Sequence, residues 1–147
     1  MKKPQVILHT DGACTPQTGN GGWACILKSA HGDYKRAVSG AARNTTNNQM
    51  ELTAVIQGLK SLKIPCELTI YTDSLYVLKG ATEWSVGWIA RGWRTANKSP
   101  VKNRALWQEL LALLKKHEYT FVWVKGHNGD PLNEQADALA VSRKNEL

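Results

Sequence analysis

Two aspartates in this chain end the same short pattern. Asp11 stands in His9-Thr10-Asp11-Gly12 and Asp73 in Tyr71-Thr72-Asp73-Ser74, each after an apolar run. If the two runs are parallel neighbouring strands, both carboxylates emerge side by side at the carboxyl edge of a sheet, where open α/β folds place their sites. Aspartate after a strand is also ordinary turn and cap chemistry. Glu51 adds a third acidic group on the apolar stripe of a helical segment, with Val55, Leu59 and Leu62. A carboxylate buried there must be paired, protonated or bound to a cation; the alternative is a glutamate near a helix start, where negative charge is favoured. Asp137 lies one helical turn before Ala140 and Val141, close to a packed side, and could equally be a surface aspartate of a first turn.

Four such carboxylates, with no compact Cys or His cluster, favour a hard, oxygen-seeking divalent cation over zinc, and magnesium is the natural choice. Two ions about 3.5–4 Å apart can activate a water and stabilise the leaving oxygen of a phosphodiester. Cys14, Cys25 and Cys66 are odd in number and lack CxxC spacing, so neither a disulfide framework nor a zinc site is expected.

The elements that must position these groups fit one domain over residues 1–147, large enough for a core without disulfides. Gln5 to Thr10 reads as a buried strand followed by a turn at Asp11-Gly12, and Gly21-Gly22 open a second strand. A break at residues 30–33 and an extended stretch from Tyr34 to Ser39 complete a three-stranded meander. Thr46 to Leu62 is helical, and Glu67 to Thr72 is a strand. Ser74 can cap the helix that follows. A tryptophan-rich stretch leads to Pro100, a helix spans about Asn103 to Lys116, Tyr119 to Val124 is a strand, and Pro131 suits the first turn of a last helix. The order implies an α/β fold with a mixed sheet flanked by helices.

A net charge of +7 favours a polyanionic partner. No segment has the roughly 18 consecutive apolar residues of a membrane span. The N-terminal stretch lacks a signal-peptide pattern, so a cytoplasmic location without membrane attachment is expected.

Five stretches, in this order and spacing, resemble ribonuclease H of the bacterial type I family along essentially the whole chain. They are TDGAC at 10–14, TTNNQMEL at 45–52, YTDSLYV at 71–77, WVKGHNG at 123–129 and NEQADALA at 133–140. The resemblance implies the ribonuclease H-like fold, with a five-stranded sheet in the order 3-2-1-4-5. It implies a monomeric endonuclease that cuts the RNA strand of RNA–DNA hybrids with two Mg2+ ions, Mn2+ being possible, to leave 5′-phosphate and 3′-hydroxyl ends. Asp11, Glu51, Asp73 and Asp137 match the family's metal-binding carboxylates, with Asp11 between both ions. His127 matches a mobile histidine that transfers a proton or helps the product leave, a task that suits an imidazole near neutral pH.

Telling RNA from DNA requires groups that read the 2′-hydroxyl. Asn47, Asn48 and the backbone around Gly12 and Cys14 match positions that contact sugars near the cut, though TTNN is also good capping chemistry. Between Lys79 and Arg104 the cations Arg91, Arg94 and Lys98 interleave with Trp84, Trp88 and Trp93, matching a basic protrusion that grips the DNA strand. Trp84 matches a channel-lining tryptophan, whereas Trp88 and Trp93 could pack a small core of the protrusion. Thr46 and Asn103 resemble a DNA-phosphate pocket.

Three positions depart from the family pattern. Leu75 replaces a glutamine that touches the hybrid in many relatives, Asn44 replaces a pocket arginine, and IARGWR is poorer in lysine than close relatives can be. Other nucleases of this fold, such as an exonuclease or a junction resolvase, and a hybrid-binding module without catalysis are the rival functions.

Overall fold

The computed structural model describes residues 3–125 and 130–147. An antiparallel meander comes first, with β1 (Gln5–Thr15), β2 (Asn20–Ser29) and β3 (Lys35–Ala42), followed by α1 (Asn47–Lys60) and β4 (Glu67–Thr72). Next come α2 (Leu75–Lys79), a π-helical turn at Gly80–Trp84 and α3 (Ser85–Ala90). The chain ends with α4 (Arg104–Leu114), β5 (Glu118–Trp123) and α5 (Pro131–Asn145). The sheet order is β3-β2-β1-β4-β5, with β1 parallel to β4 and β4 parallel to β5, as the resemblance implies.

Strand β1 differs from its expected length. Asp11-Gly12 is not a turn: β1 continues through both residues, pairing with β2 from Val6↔Ser29 to Thr15↔Asn20. Its parallel ladder with β4 ends earlier, at His9↔Tyr71. The reason lies in β2, whose Gly21 and Gly22 prolong the antiparallel pairing after β4 has stopped. Asp11 and Asp73 thus both stand just past the end of the parallel ladder, at the rim anticipated for them.

Strand alternation sends Val6 and Leu8 of β1 and Leu68 and Ile70 of β4 to one face, where they pack with Leu52, Val55 and Leu59 of α1 and Trp107, Leu110 and Leu114 of α4. Burial of these side chains removes apolar area worth about 25 cal/mol per Å² from water. The opposite face is thinner: Ala24 and Ile26 of β2 meet Ala136 and Ala140 of α5. Small residues let α5 lie close, and at Gly22 the approach is closest, since a Cβ there would strike the Ala140 carbonyl and the Lys144 nitrogen. Each of the three helices nearest the carboxylates has a side-chain cap: Thr46 accepts from Gln49 N at 3.1 Å, Ser74 from Val77 N at 3.1 Å, and Asp130 from Leu132 N at 3.0 Å and Asn133 N at 3.2 Å.

Between α3 and α4 the chain doubles back through left-handed residues at Gly92, Trp93, Lys98 and Asn103, closed by the Arg94–Pro100 bridge and a 3.2 Å bond from Arg94 to the Lys98 carbonyl. Trp88 and Trp93 do not form a separate small core. Trp88 lies 5.3 Å from the buried Trp107 and 6.2 Å from Trp93, so both join the main core. Among the described residues no helix is long and apolar enough to cross a membrane.

The close seating of α5 on β2 generates a stability prediction. Gly22→Ala should lower unfolding free energy by about 1–3 kcal/mol, the usual cost of overpacking, read as a reduced midpoint in urea denaturation. An unchanged midpoint would contradict this packing.

Candidate active site

Asp11 is 3% exposed and Glu51 is 4% exposed, each nearly withdrawn from water, while Asp73 is half-buried. An oxygen from each of the three lies within 4.8 Å of the others. Asp137, half-buried on α5, lines the same cleft together with Gly12, Asn47 and Ser74. Residues 62 positions apart along the chain at Asp11 and Asp73 become neighbours because parallel strands put their carboxyl ends on one edge.

Glycine at position 12 makes the meeting of β1 and α1 possible. A Cβ there would sit on the backbone of Met50 and Glu51, so only glycine lets the strand pass this close to the helix. The Gly12 N–H donates to Oδ1 of Asp11 at 2.9 Å and also to Oε1 of Glu51, aiming both carboxylates from one backbone group. The indole of Trp123 donates to the Asp73 carbonyl at 3.3 Å, anchoring that rim from β5.

Burial pushes the Glu51 carboxyl well above the usual range; the negative charge of Asp11, a hydrogen bond with it and the charge of Asp73 push the same way, while the Gly12 N–H opposes them. Carboxylates brought together in this way repel one another. Among the described residues lining the cleft none is basic. The donor set is all oxygen, without sulfur or imidazole, and therefore fits a hard divalent cation, whose charge would offset the repulsion.

Of the substrate-binding candidates, Gly12 and Asn47 line this cleft, and the others differ in exposure and bonding. Asn47 lines it, and Asn48 is exposed beside it in the first turn of α1. The capping role that TTNN suggested belongs to Thr46, whose side chain holds Gln49 N. Cys14 donates its thiol to the Thr45 carbonyl at 3.4 Å. Asn103 accepts from Gln49 Nε2 at 3.1 Å and donates to the Tyr76 hydroxyl at 3.1 Å, and Trp107 donates to that hydroxyl at 3.0 Å. Trp84 is 41% exposed and meets Tyr76 edge-on, with centroids 6.1 Å apart. Arg91, Arg94 and Lys98 are exposed on the protrusion, and Leu75 is exposed near the cleft-lining Ser74. His127 lies outside the described residues.

Sequence reasoning missed Gln49, Tyr76 and Trp123. The first two face inward from helices read only for apolar stripe and caps, and their linkage to Asn103 has no local signature. Trp123 begins WVKGHNG, yet its tie to Asp73 requires knowing that β5 neighbours β4.

A family model described as RNase H matches residues 3–145. The chain is 54% identical over 136 residues to a ribonuclease H of Cupriavidus pinatubonensis, covering 92% of each. It is 56% identical to one of Polaromonas naphthalenivorans, covering 95% of this chain and 88% of the relative. Among solved structures, it is similar to LC9-RNase H1, described as a type 1 RNase H with the type 2 active-site motif, at 31% identity and a TM-score of 0.89, covering 99% of this chain and 74% of that one.

The raised Glu51 carboxyl carries a signed pH prediction. Its proton is held more tightly in the folded chain than in the unfolded one, so its contribution to stability is full below the ordinary glutamate value and is lost as pH rises through the raised one. Without divalent cation, the stability of wild type relative to Glu51→Gln should therefore fall from acid toward neutral pH, and saturating Mg2+ should abolish that fall. Urea denaturation across pH checks it; parallel curves without cation would contradict the site's electrostatics.

Proposed function

The chain belongs to the ribonuclease H family of nucleases, and from that membership we propose that it hydrolyses the RNA strand of RNA–DNA hybrids with two divalent cations, leaving 5′-phosphate and 3′-hydroxyl ends. The observation that carries the proposal is the gathering of Asp11, Glu51 and Asp73 at one rim of the sheet, with Asp137 lining the same cleft. These four carboxylates would hold the ions. When bound, Mg2+ supplies the charge that makes a water nucleophilic and stabilises the departing oxygen.

The chain's own residues bind and orient the hybrid. Asn47 in the cleft, Asn48 beside it and the backbone at Gly12 and Cys14 would read the 2′-hydroxyl, with Glu51 able to accept its proton. Thr46 retains a hydroxyl hydrogen to donate after capping α1, and the Asn103 amide nitrogen retains one after bonding Tyr76. Both can therefore meet a DNA phosphate. Arg91, Arg94 and Lys98 would neutralise further phosphates, and the exposed face of Trp84 would pack a sugar. His127, which matches the family's mobile histidine, is proposed to transfer a proton or assist product departure.

We take the protein as one domain acting as a monomer in the cytoplasm, a view that rests on family likeness. Duplex DNA and a DNA junction, offered beside the hybrid, separate this activity from an exonuclease or a resolvase of the same fold.

Asp11→Asn removes one buried negative charge that several kcal/mol of transition-state stabilisation would depend on, so cleavage should fall about a thousandfold or more. Hybrid binding by fluorescence anisotropy should stay near wild type, and retained Mg2+-dependent turnover would refute the assignment. Replacing Arg91, Arg94 and Lys98 together by neutral residues should raise the Michaelis constant and flatten its salt dependence, each lost phosphate contact removing about 0.7–0.9 from the slope. No change in either quantity would remove the protrusion from substrate binding.

A further inference from the structure

None of the roles above uses His9, yet its surroundings link the elements that bear the acidic cluster. His9 precedes Asp11 by two residues on β1, so strand periodicity places both side chains on one face. Its ring is 5% exposed and stacks on Tyr71 of β4, with centroids 4.7 Å and planes 10° apart. Tyr71 in turn precedes Asp73 by two residues. Nδ1 of His9 lies 2.6 Å from Oδ1 of Asn133, a fully buried residue of α5 placed one helical turn before Asp137. Oδ1 of Asp130, the cap of α5, lies 3.7 Å from the same ring nitrogen. A carboxamide oxygen only accepts, so Nδ1 carries the hydrogen and donates it.

We infer that His9 is a positioning residue, whose single ring fixes the spacing of the three segments that carry Asp11, Asp73 and Asp137. The inference rests on the metal-binding reading of these carboxylates and deepens it. Three connections make the link: the backbone of β1 carries Asp11, the stack holds β4, and the hydrogen bond holds α5. Close packing of small side chains, Ala136 and Ala140, sets how near α5 lies to this face but gives little direction. A short hydrogen bond fixes direction as well. Mg2+ demands near-ideal octahedral geometry at about 2.0–2.1 Å, so a carboxylate displaced by a few tenths of an ångström loses its place as a ligand. The same link gives the fully buried amide oxygen of Asn133 a hydrogen-bond partner.

The test compares wild type with His9→Phe, which keeps an aromatic ring on Tyr71 but deletes the Nδ1 hydrogen, with Asn133→Leu, and with the double variant. Mg2+ binding to the substrate-free proteins is measured by calorimetry, kcat and KM on an RNA–DNA hybrid by initial rates, and folding by circular dichroism. Each single variant should be folded, should bind Mg2+ about tenfold more weakly and should lose about tenfold in kcat with KM changed by less than about twofold. The double variant should be no worse than the worse single one, because both substitutions break one link. Folded single variants with wild-type Mg2+ affinity and kcat would overturn the inference, as would losses that multiply in the double variant. If His9→Phe does not fold, His9→Leu, which also lacks the Nδ1 hydrogen, takes its place in the same comparison. Wild-type protein that binds Mg2+ but leaves the hybrid intact would overturn the proposed function alone, with calorimetry still deciding the role of His9; wild-type protein that binds no Mg2+ would overturn both.

Discussion

Mutual repulsion among acidic groups held out of water is the constraint around which this structure is organised. Asp11 and Glu51 are both nearly inaccessible, and Asp73 offers an oxygen within 4.8 Å of each. Nothing in folding favours that gathering by itself, since burial of an ionised carboxylate is unfavourable and a second one nearby makes it worse. The apolar layer of β1, β4, α1 and α4 stabilises the chain strongly enough to impose it. A divalent cation would turn this unfavourable gathering into a binding site.

The supporting geometry comes from features that cost little individually. Two parallel strands end together and deliver Asp11 and Asp73 to one rim. Gly12 admits β1 to the start of α1, and its N–H orients two carboxylates at once. Gly22 brings α5, and with it Asp137, down onto the thinner face. Around that rim, the polar chain through Gln49, Asn103 and Tyr76 ties the tryptophan-rich segment to the helix that bears Glu51. The proposed substrate grip and the proposed metal site would thereby be joined by hydrogen bonds between packed side chains.

Much of this was legible in the residues alone, for identifiable physical reasons. The apolar stripe containing Glu51 raised its burial as one of two readings, and Ser74 and Pro131 marked helix starts, because periodicity and caps are local properties. The strand through Asp11 was legible only as far as Thr10. Asp-Gly is ordinary turn chemistry, and its place inside β1 follows from pairing with Gly22 and Trp23 of β2. Trp88 and Trp93 could not be assigned either, since their packing depends on Trp107, far along the chain. The tie between Trp123 and Asp73, and that between His9 and Asn133, depend likewise on which strands and helices become neighbours. The meeting of the carboxylates themselves is nonlocal too: matching strand ends suggested it for Asp11 and Asp73, and the resemblance of five ordered motifs implied it for all four.

Strand selectivity would require both the proposed metal site and the groups proposed to read sugars and phosphates, so it bears on the whole account at once. The most direct measurement is cleavage of an RNA–DNA hybrid carrying a different label on each strand, with Mg2+ and with chelator. The account predicts Mg2+-dependent cuts within the RNA strand, an intact DNA strand and silence in chelator. Cuts in the DNA strand, or RNA cleavage that persists without divalent cation, would contradict it.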